Sequence, residues 1–204
     1  IDILGFTGYA DLDSGNYGGE VLNTIEALSQ YFTDFTLEDT NIENPAELAA
    51  LLEGKDLFLI YEQELMNTDD TYLYNLGVDW QSVLSNFVSN GGGVITLSYS
   101  YGSDCNSASI LDGAELMSIY DCYQEPYGPL TILNTEHPIT NGIDEIISMS
   151  GTIGFNTDNG LPLVQNFNSD RFVLATREIG SGKVVSLGMD FYSYNNEMAL
   201  LLSN

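Results

Sequence analysis

Positive charge is what this sequence has least of. Its only basic residues are Lys55, Arg171, Arg177 and Lys183, set against 30 acidic ones, for a formal net charge of -26. Nucleic acids and anionic membranes are bound through Lys and Arg that neutralise phosphates. Four scattered cations make no patch, so nucleic-acid binding and electrostatic membrane docking are excluded. No stretch approaches the roughly 20 apolar residues of a transmembrane helix, so membrane insertion is not expected. No Asn-x-Ser/Thr acceptor occurs, and His137 is the single histidine. No signal peptide is visible: Ile1 opens directly in a strand-like run, which suits a chain that begins after processing or at an imposed boundary.

What is present fits one domain spanning residues 1–204. The chain is 44% apolar, enough for one good-sized core. Charged residues make up only 17%, and Asn, Ser, Thr, Gly and Tyr provide much of the remaining polar surface. That mixture, almost free of lysine, leads to the expectation of an extracellular or cell-surface location. Cys105 and Cys122 are the only cysteines. An isolated pair in a chain of extracellular character suggests a disulfide, which requires Cα atoms within about 4.4–6.8 Å. A metal pair is the alternative, but neither cysteine has a second Cys or a His at ligand spacing.

The chain is organised around 78–102. Trp80, Val83, Leu84, Phe87 and Val88 repeat at i, i+3, i+4, i+7 and i+8, an amphipathic helix. Asn90-Gly91 can end that helix, and Val94-Ile95-Thr96-Leu97 follows as a strand apolar on both faces, as a covered parallel sheet requires. Before it come a strand over 1–6, a helix marked by Val21, Ile25, Leu28 and Phe32, and an edge strand over 35–38. A helix capped by Asn44-Pro45 and a strand over 57–61 complete that part. Residues 62–75 read as a polar loop with room for one helical turn. The order β-α-β-α-β-α-β predicts an α/β, flavodoxin-like, doubly wound and mostly parallel sheet with right-handed crossovers. After a helix over 109–118 the pattern changes to short strands, and tight turns at 168–170 and 180–182 join three longer ones. These predict an antiparallel C-terminal extension, closed by a helix over 195–203.

Three segments in order, FVSNGGGVITL (87–97), NTEHPITNGI (134–143) and REIGSGKVVSLGMDFYSYNN (177–196), carry a resemblance. Together they resemble the class I glutamine amidotransferase-like superfamily, in its branch of ThuA-like domains and β-galactosidase trimerisation domains. The resemblance covers nearly the whole chain and implies a flavodoxin-like sheet without an amidotransferase active site. True amidotransferases place a nucleophilic cysteine on a G-x-C-x-G turn after a central strand. Here the corresponding Leu97-Ser98-Tyr99-Ser100-Tyr101-Gly102 has no cysteine and only half of a nucleophile turn. A Ser100–His137–carboxylate triad is conceivable, with the plainer reading that His137 caps a loop. Flavin binding is rejected, because Asp11 and Asp13 stand where a phosphate-binding turn would be.

Acidic residues supply the remaining candidates. Glu62 and Glu64 follow the third strand at the end where α/β sheets hold ligands. There they could act as an acid/base pair, bind a sugar or hold a cation, or simply be solvated. Asp11-Leu12-Asp13-Ser14-Gly15-Asn16 alternates oxygen ligands and suits Ca²⁺, although it departs from the EF-hand pattern; a plain turn is the alternative. Asp69, Asp70, Asp104 and Asp190 could complete such a site from neighbouring loops. The resulting expectation is a non-catalytic extracellular binding or structural module of a secreted or cell-surface assembly, with protein or glycan partners. Two alternatives are a hydrolase acting on carbohydrate or amide through Glu62/Glu64 or Ser100/His137, and a self-associating subunit of an extracellular layer or fibre. No organic cofactor is expected; Ca²⁺ is the one ion the loops suit.

Overall fold

The computed structural model describes residues 1–12, 19–66, 70–98, 104–125, 127–148 and 151–204. Its first half alternates β1 (Asp2–Phe6), α1 (Glu20–Tyr31), β2 (Thr36–Thr40), α2 (Pro45–Leu51), β3 (Leu57–Ile60), α3 (Asp70–Ser89) and β4 (Gly93–Leu97). There follow α4 (Ala108–Gly113), β5 (Tyr120–Glu125), β6 (Gly128–Ile132), β7 (Ile146–Ser148), β8 (Thr152–Asn156) and β9 (Leu161–Asn166). The chain closes with β10 (Phe172–Ile179), β11 (Gly182–Leu187) and α5 (Asn196–Ser203).

Eleven strands form one mixed sheet, ordered β2-β1-β3-β4-β11-β10-β9-β6-β7, with β8 beside β10 and β5 beside β8. The five strands β2, β1, β3, β4 and β11 run parallel, in the spatial order of flavodoxin-like sheets. The expectation of a mostly parallel, doubly wound sheet needs correction. Among the described residues four pairings are parallel, whereas six are antiparallel. Strands β9, β10 and β11 are joined by short turns, which permit only antiparallel neighbours.

Side chains alternate along the parallel strands and split the core in two. Leu4, Phe6, Phe58 and Ile60 pack with Leu48 of α2, Trp80 and Leu84 of α3 and Ile110 of α4. Ile3, Leu59 and Tyr61 face the other way, toward Val21 and Leu28 of α1 and Met198 and Leu202 of α5. Phe6 meets the Trp80 ring edge-on at 5.0 Å between centroids, and the Trp80 indole N–H donates to the Glu43 carbonyl at 2.7 Å.

Two elements differ from expectation. The α3 helix begins at Asp70 rather than near Val78, so the second half of the 62–75 stretch, read as a loop with room for one turn, belongs to the long helix. Gly77 is buried inside α3 where α4 crosses. A Cβ there would collide with the Ile110 carbonyl, and one on Gly113 with the Tyr74 carbonyl. These glycines permit close helix packing. Strand β8, overlooked in the sequence, lies between the expected strands; its Ile153 and Phe155 are buried.

Cys105 and Cys122 form the expected disulfide, with Cα atoms 5.1 Å apart. It ties the turn before α4 to β5. The chain-entropy model gives about 3 kcal/mol for a loop of this size. Reduction is therefore expected to lower unfolding free energy by about that amount in urea titrations with and without dithiothreitol. Coincident curves would show that Asp70, which accepts hydrogen bonds from the Cys105 and Asn106 N–H groups, holds the turn alone.

Candidate functional site

The carboxyl ends of β1, β3 and β11 open on the same edge of the sheet, where the chain order reverses between β1 and β3. Ligands of open α/β sheets collect at such a crevice. Here it is filled with carboxylates.

Glu62 lies just beyond β3 and is 1% exposed. The Phe191 N–H donates to its Oε1 at 2.7 Å. Its Oε2 is buried and, among the described residues, has no hydrogen-bond partner. Glu20 is the first residue of α1 and is buried; a helix N-terminus favours a carboxylate there. Asp190 follows β11, and its Oδ1 accepts the Tyr192 N–H at 2.7 Å. One carboxylate oxygen from each of Glu20, Glu62 and Asp190 lies within 4.8 Å of the others. Asp11, Glu20 and Glu64 form a second such group, joined to the first through Glu20.

The chain has no cation to spare for these five acids. Lys55 pairs with Glu38, and Arg171 with Asp121 and Glu125. Arg177 donates to the Glu115 and Leu116 carbonyls, and Lys183 stands beside His137 and Glu178 at a different hollow. Burial, followed by the Asp190 charge, therefore raises the Glu62 carboxyl well above the ordinary range. Burial and the hydrogen bond with Glu20 push Glu64 up to about 8. Glu20 is raised by burial, with the Glu64 hydrogen bond opposing.

The crevice is held rigidly. Buried Gln63 accepts the Tyr9 N–H at 2.9 Å and donates to the Phe6 and Tyr61 carbonyls at 3.1 and 2.8 Å, bracing the ends of β1 and β3. Its own N–H donates to Ser107 Oγ. Asn23 of α1 donates to the Phe191 and Tyr192 carbonyls, fixing the segment that carries Asp190. On the rim, Tyr9 and Tyr72 each donate to a different oxygen of Glu43, at 2.7 and 2.8 Å.

Of the residues singled out in the sequence, Glu62, Glu64, Asp11 and Asp190 converge here. Asp13, Asp69 and Ser100 lie outside the described residues. Asp70 is a brace for the Cys105 turn. His137 is at the opposite end of the sheet: it lines a hollow with Lys183, which pairs with Gly93 at the start of β4, whereas Ser98 follows the end of that strand. Its Nδ1 accepts the Ile139 N–H at 3.2 Å, the loop-capping role. Burial and then Lys183 lower its pKa. Glu20 and Gln63 were not singled out. The signals available were Gly18-Gly19-Glu20 opening a helix, and a polar Glu-Gln-Glu run directly after an all-apolar strand.

No family model matches the sequence, and no curated protein matches it. Solved structures do match in fold. The Salmonella typhimurium cytoplasmic protein STM3548 is 15% identical with a TM-score of 0.61, over 100% of this chain and 97% of that one. A ThuA-like protein from Parabacteroides merdae is 12% identical with a TM-score of 0.61, over 100% and 88%. The β-galactosidase of Bacillus circulans is 12% identical with a TM-score of 0.63, over 98% of this chain but 30% of the enzyme. Likeness at these identities is one of fold. The fold is thus one that ThuA-like and β-galactosidase chains also contain.

Proposed function

We propose that this domain is a non-catalytic extracellular binding or structural module of a secreted or cell-surface protein, engaging its ligand at the carboxyl edge of the parallel strands. The observation that carries the reading is the content of the crevice. Five carboxylates occupy it, while the only histidine sits at the other end of the sheet. Carboxylates accept hydrogen bonds from hydroxyls and coordinate hard cations. A polyhydroxylated ligand or a cation suits such a surface, and a phosphate does not. The disulfide and the scarcity of lysine support placement outside the cell.

Two assays test this. Isothermal calorimetry with a glycan panel is expected to detect binding that weakens at least tenfold in Glu64→Gln. Glycosidase, amidase and esterase substrates are expected to give no turnover above background. Turnover that vanishes in a Glu62→Gln, Glu64→Gln double variant would replace the module reading with the hydrolase one.

Self-association is a second reading with an observation of its own. Tyr127 and Phe167 are 74% and 70% exposed. The register of β6 with β7 and β9 brings them, with exposed Ile147, to the same edge of the sheet. Light scattering would show an oligomer that Phe167→Ser dissociates if this edge is an interface.

A further inference from the structure

Deepening that reading, and resting on it for the location of the site, we infer that Glu20, Glu62 and Asp190 are the protein ligands of a bound Ca²⁺ ion. Their oxygens are no more than 4.8 Å apart, a span that one Ca²⁺ bridges at about 2.3–2.6 Å per bond. The second observation is Glu62 Oε2. It is buried and, among the described residues, unpartnered, although Oε1 is fixed by the Phe191 N–H. A buried polar atom without a partner costs free energy, more so on an ionisable group. The sequence offers no Lys, Arg or His to pair with it, since all five lie elsewhere. A cation supplied from outside satisfies that oxygen and offsets the repulsion among three carboxylates.

An all-carboxylate set excludes soft metals, which prefer thiolate and imidazole. Mg²⁺ keeps several waters and is rarely held by a dedicated protein cage, whereas Ca²⁺ takes six to eight oxygens and tolerates irregular geometry. Water and a ligand hydroxyl complete the shell on the open side, toward Asp11 and Glu64. The inference moves the ion inward from the Asp11–Asp13 loop: Asp11 belongs to the outer group with Glu64, adjoining the ion without forming its cage.

The test is calorimetric titration of CaCl₂ into EDTA-treated, dialysed protein at pH 7.5, with Tb³⁺ luminescence as a second readout. One ion per chain is expected, with the submillimolar-to-millimolar affinity usual for extracellular modules. Glu20→Gln, Glu62→Gln and Asp190→Asn should each weaken binding at least 30-fold. Glu64→Gln should weaken it by less than about fivefold, and Glu38→Gln, at mid-strand in β2 and paired with Lys55 rather than with the cluster, should leave it unchanged. Melting of the wild type should rise by several degrees in 10 mM CaCl₂ over EDTA, whether or not every variant folds. No heat or luminescence at 10 mM Ca²⁺ overturns the inference, as does binding that survives all three inner substitutions or is lost only in Asp11→Asn and Glu64→Gln. Glycan binding that persists in such a calcium-free protein would leave the module reading standing by itself.

Discussion

Replacing Gln63 by leucine is expected to lower the unfolding free energy by about 4 kcal/mol. The side chains are similar in size, so the cost comes from partners left behind and not from a cavity. The Tyr9 N–H loses its acceptor and the Phe6 carbonyl loses a donor. The Tyr61 carbonyl keeps the Ser107 hydroxyl. Each orphaned buried group costs about 1–3 kcal/mol, and two at about 2 each give the figure. For a chain of this length that is roughly 10 °C in Tm. Gln63 is also the cross-brace between the loops carrying Asp11 and Glu64, so ligand affinity should fall with stability. A loss below about 1 kcal/mol in urea titrations would mean that water replaces the brace.

The second large effect has the opposite sign and depends on pH. In EDTA, Glu62→Gln is expected to be indistinguishable from wild type near pH 4.5 and more stable by about 4 kcal/mol at pH 8, the scale of an uncompensated buried charge. The amide keeps the bond from Phe191 to Oε1 and offers its NH₂ to Glu20 or Asp190, both of which accept. The sign follows from linkage. Burial and Asp190 raise the folded-state pKa of Glu62 above its unfolded value, so the folded protein holds the proton longer. That favours folding below the unfolded pKa, near 4.5, and is lost progressively as pH rises. Glu64, held at about 8, adds to the same trend. Metal-free wild type should therefore lose stability between about pH 4.5 and 8, against the usual trend of acidic proteins. Among the described residues, the groups facing Glu62 from the packed elements are acidic or neutral: Glu20 of α1, Glu64, Asp190 and the Phe191 N–H. Thermal melts of both proteins across that range check it; a flat difference would show that Glu62 is already solvated.

The α/β half of the fold was legible because each element carries its own period. The stripe of Trp80, Leu84 and Val88 and the all-apolar Leu57–Ile60 run have one plausible partner structure each. The start of α3 was hidden by Gly77, whose role depends on a helix more than thirty residues later. No local pattern shows that Gly77 and Gly113 face each other's backbones. Predominance of antiparallel pairing was similarly hidden, because it depends on how many short strands join the sheet, and β8 is only five residues with a glycine at its centre. At the site, Glu62 and Glu64 could be located since they follow a recognisable strand end. Glu20 resembled any solvated residue at a helix start. Its burial arises only when α1 packs against the segment after β11, a contact fixed by Asn23 and Phe191, 168 positions apart. The four cations, all placed elsewhere, leave the buried acidic cluster without neutralisation from within the chain.

The most direct measurement is the anomalous diffraction of crystals soaked in low-millimolar TbCl₃, a luminescent and strongly scattering substitute for Ca²⁺. One dominant peak is predicted within about 2.6 Å of carboxylate oxygens from Glu20, Glu62 and Asp190, at the carboxyl edge of β1, β3 and β11. Peaks confined to exposed carboxylates elsewhere, with none in that crevice, would contradict the placement of the site.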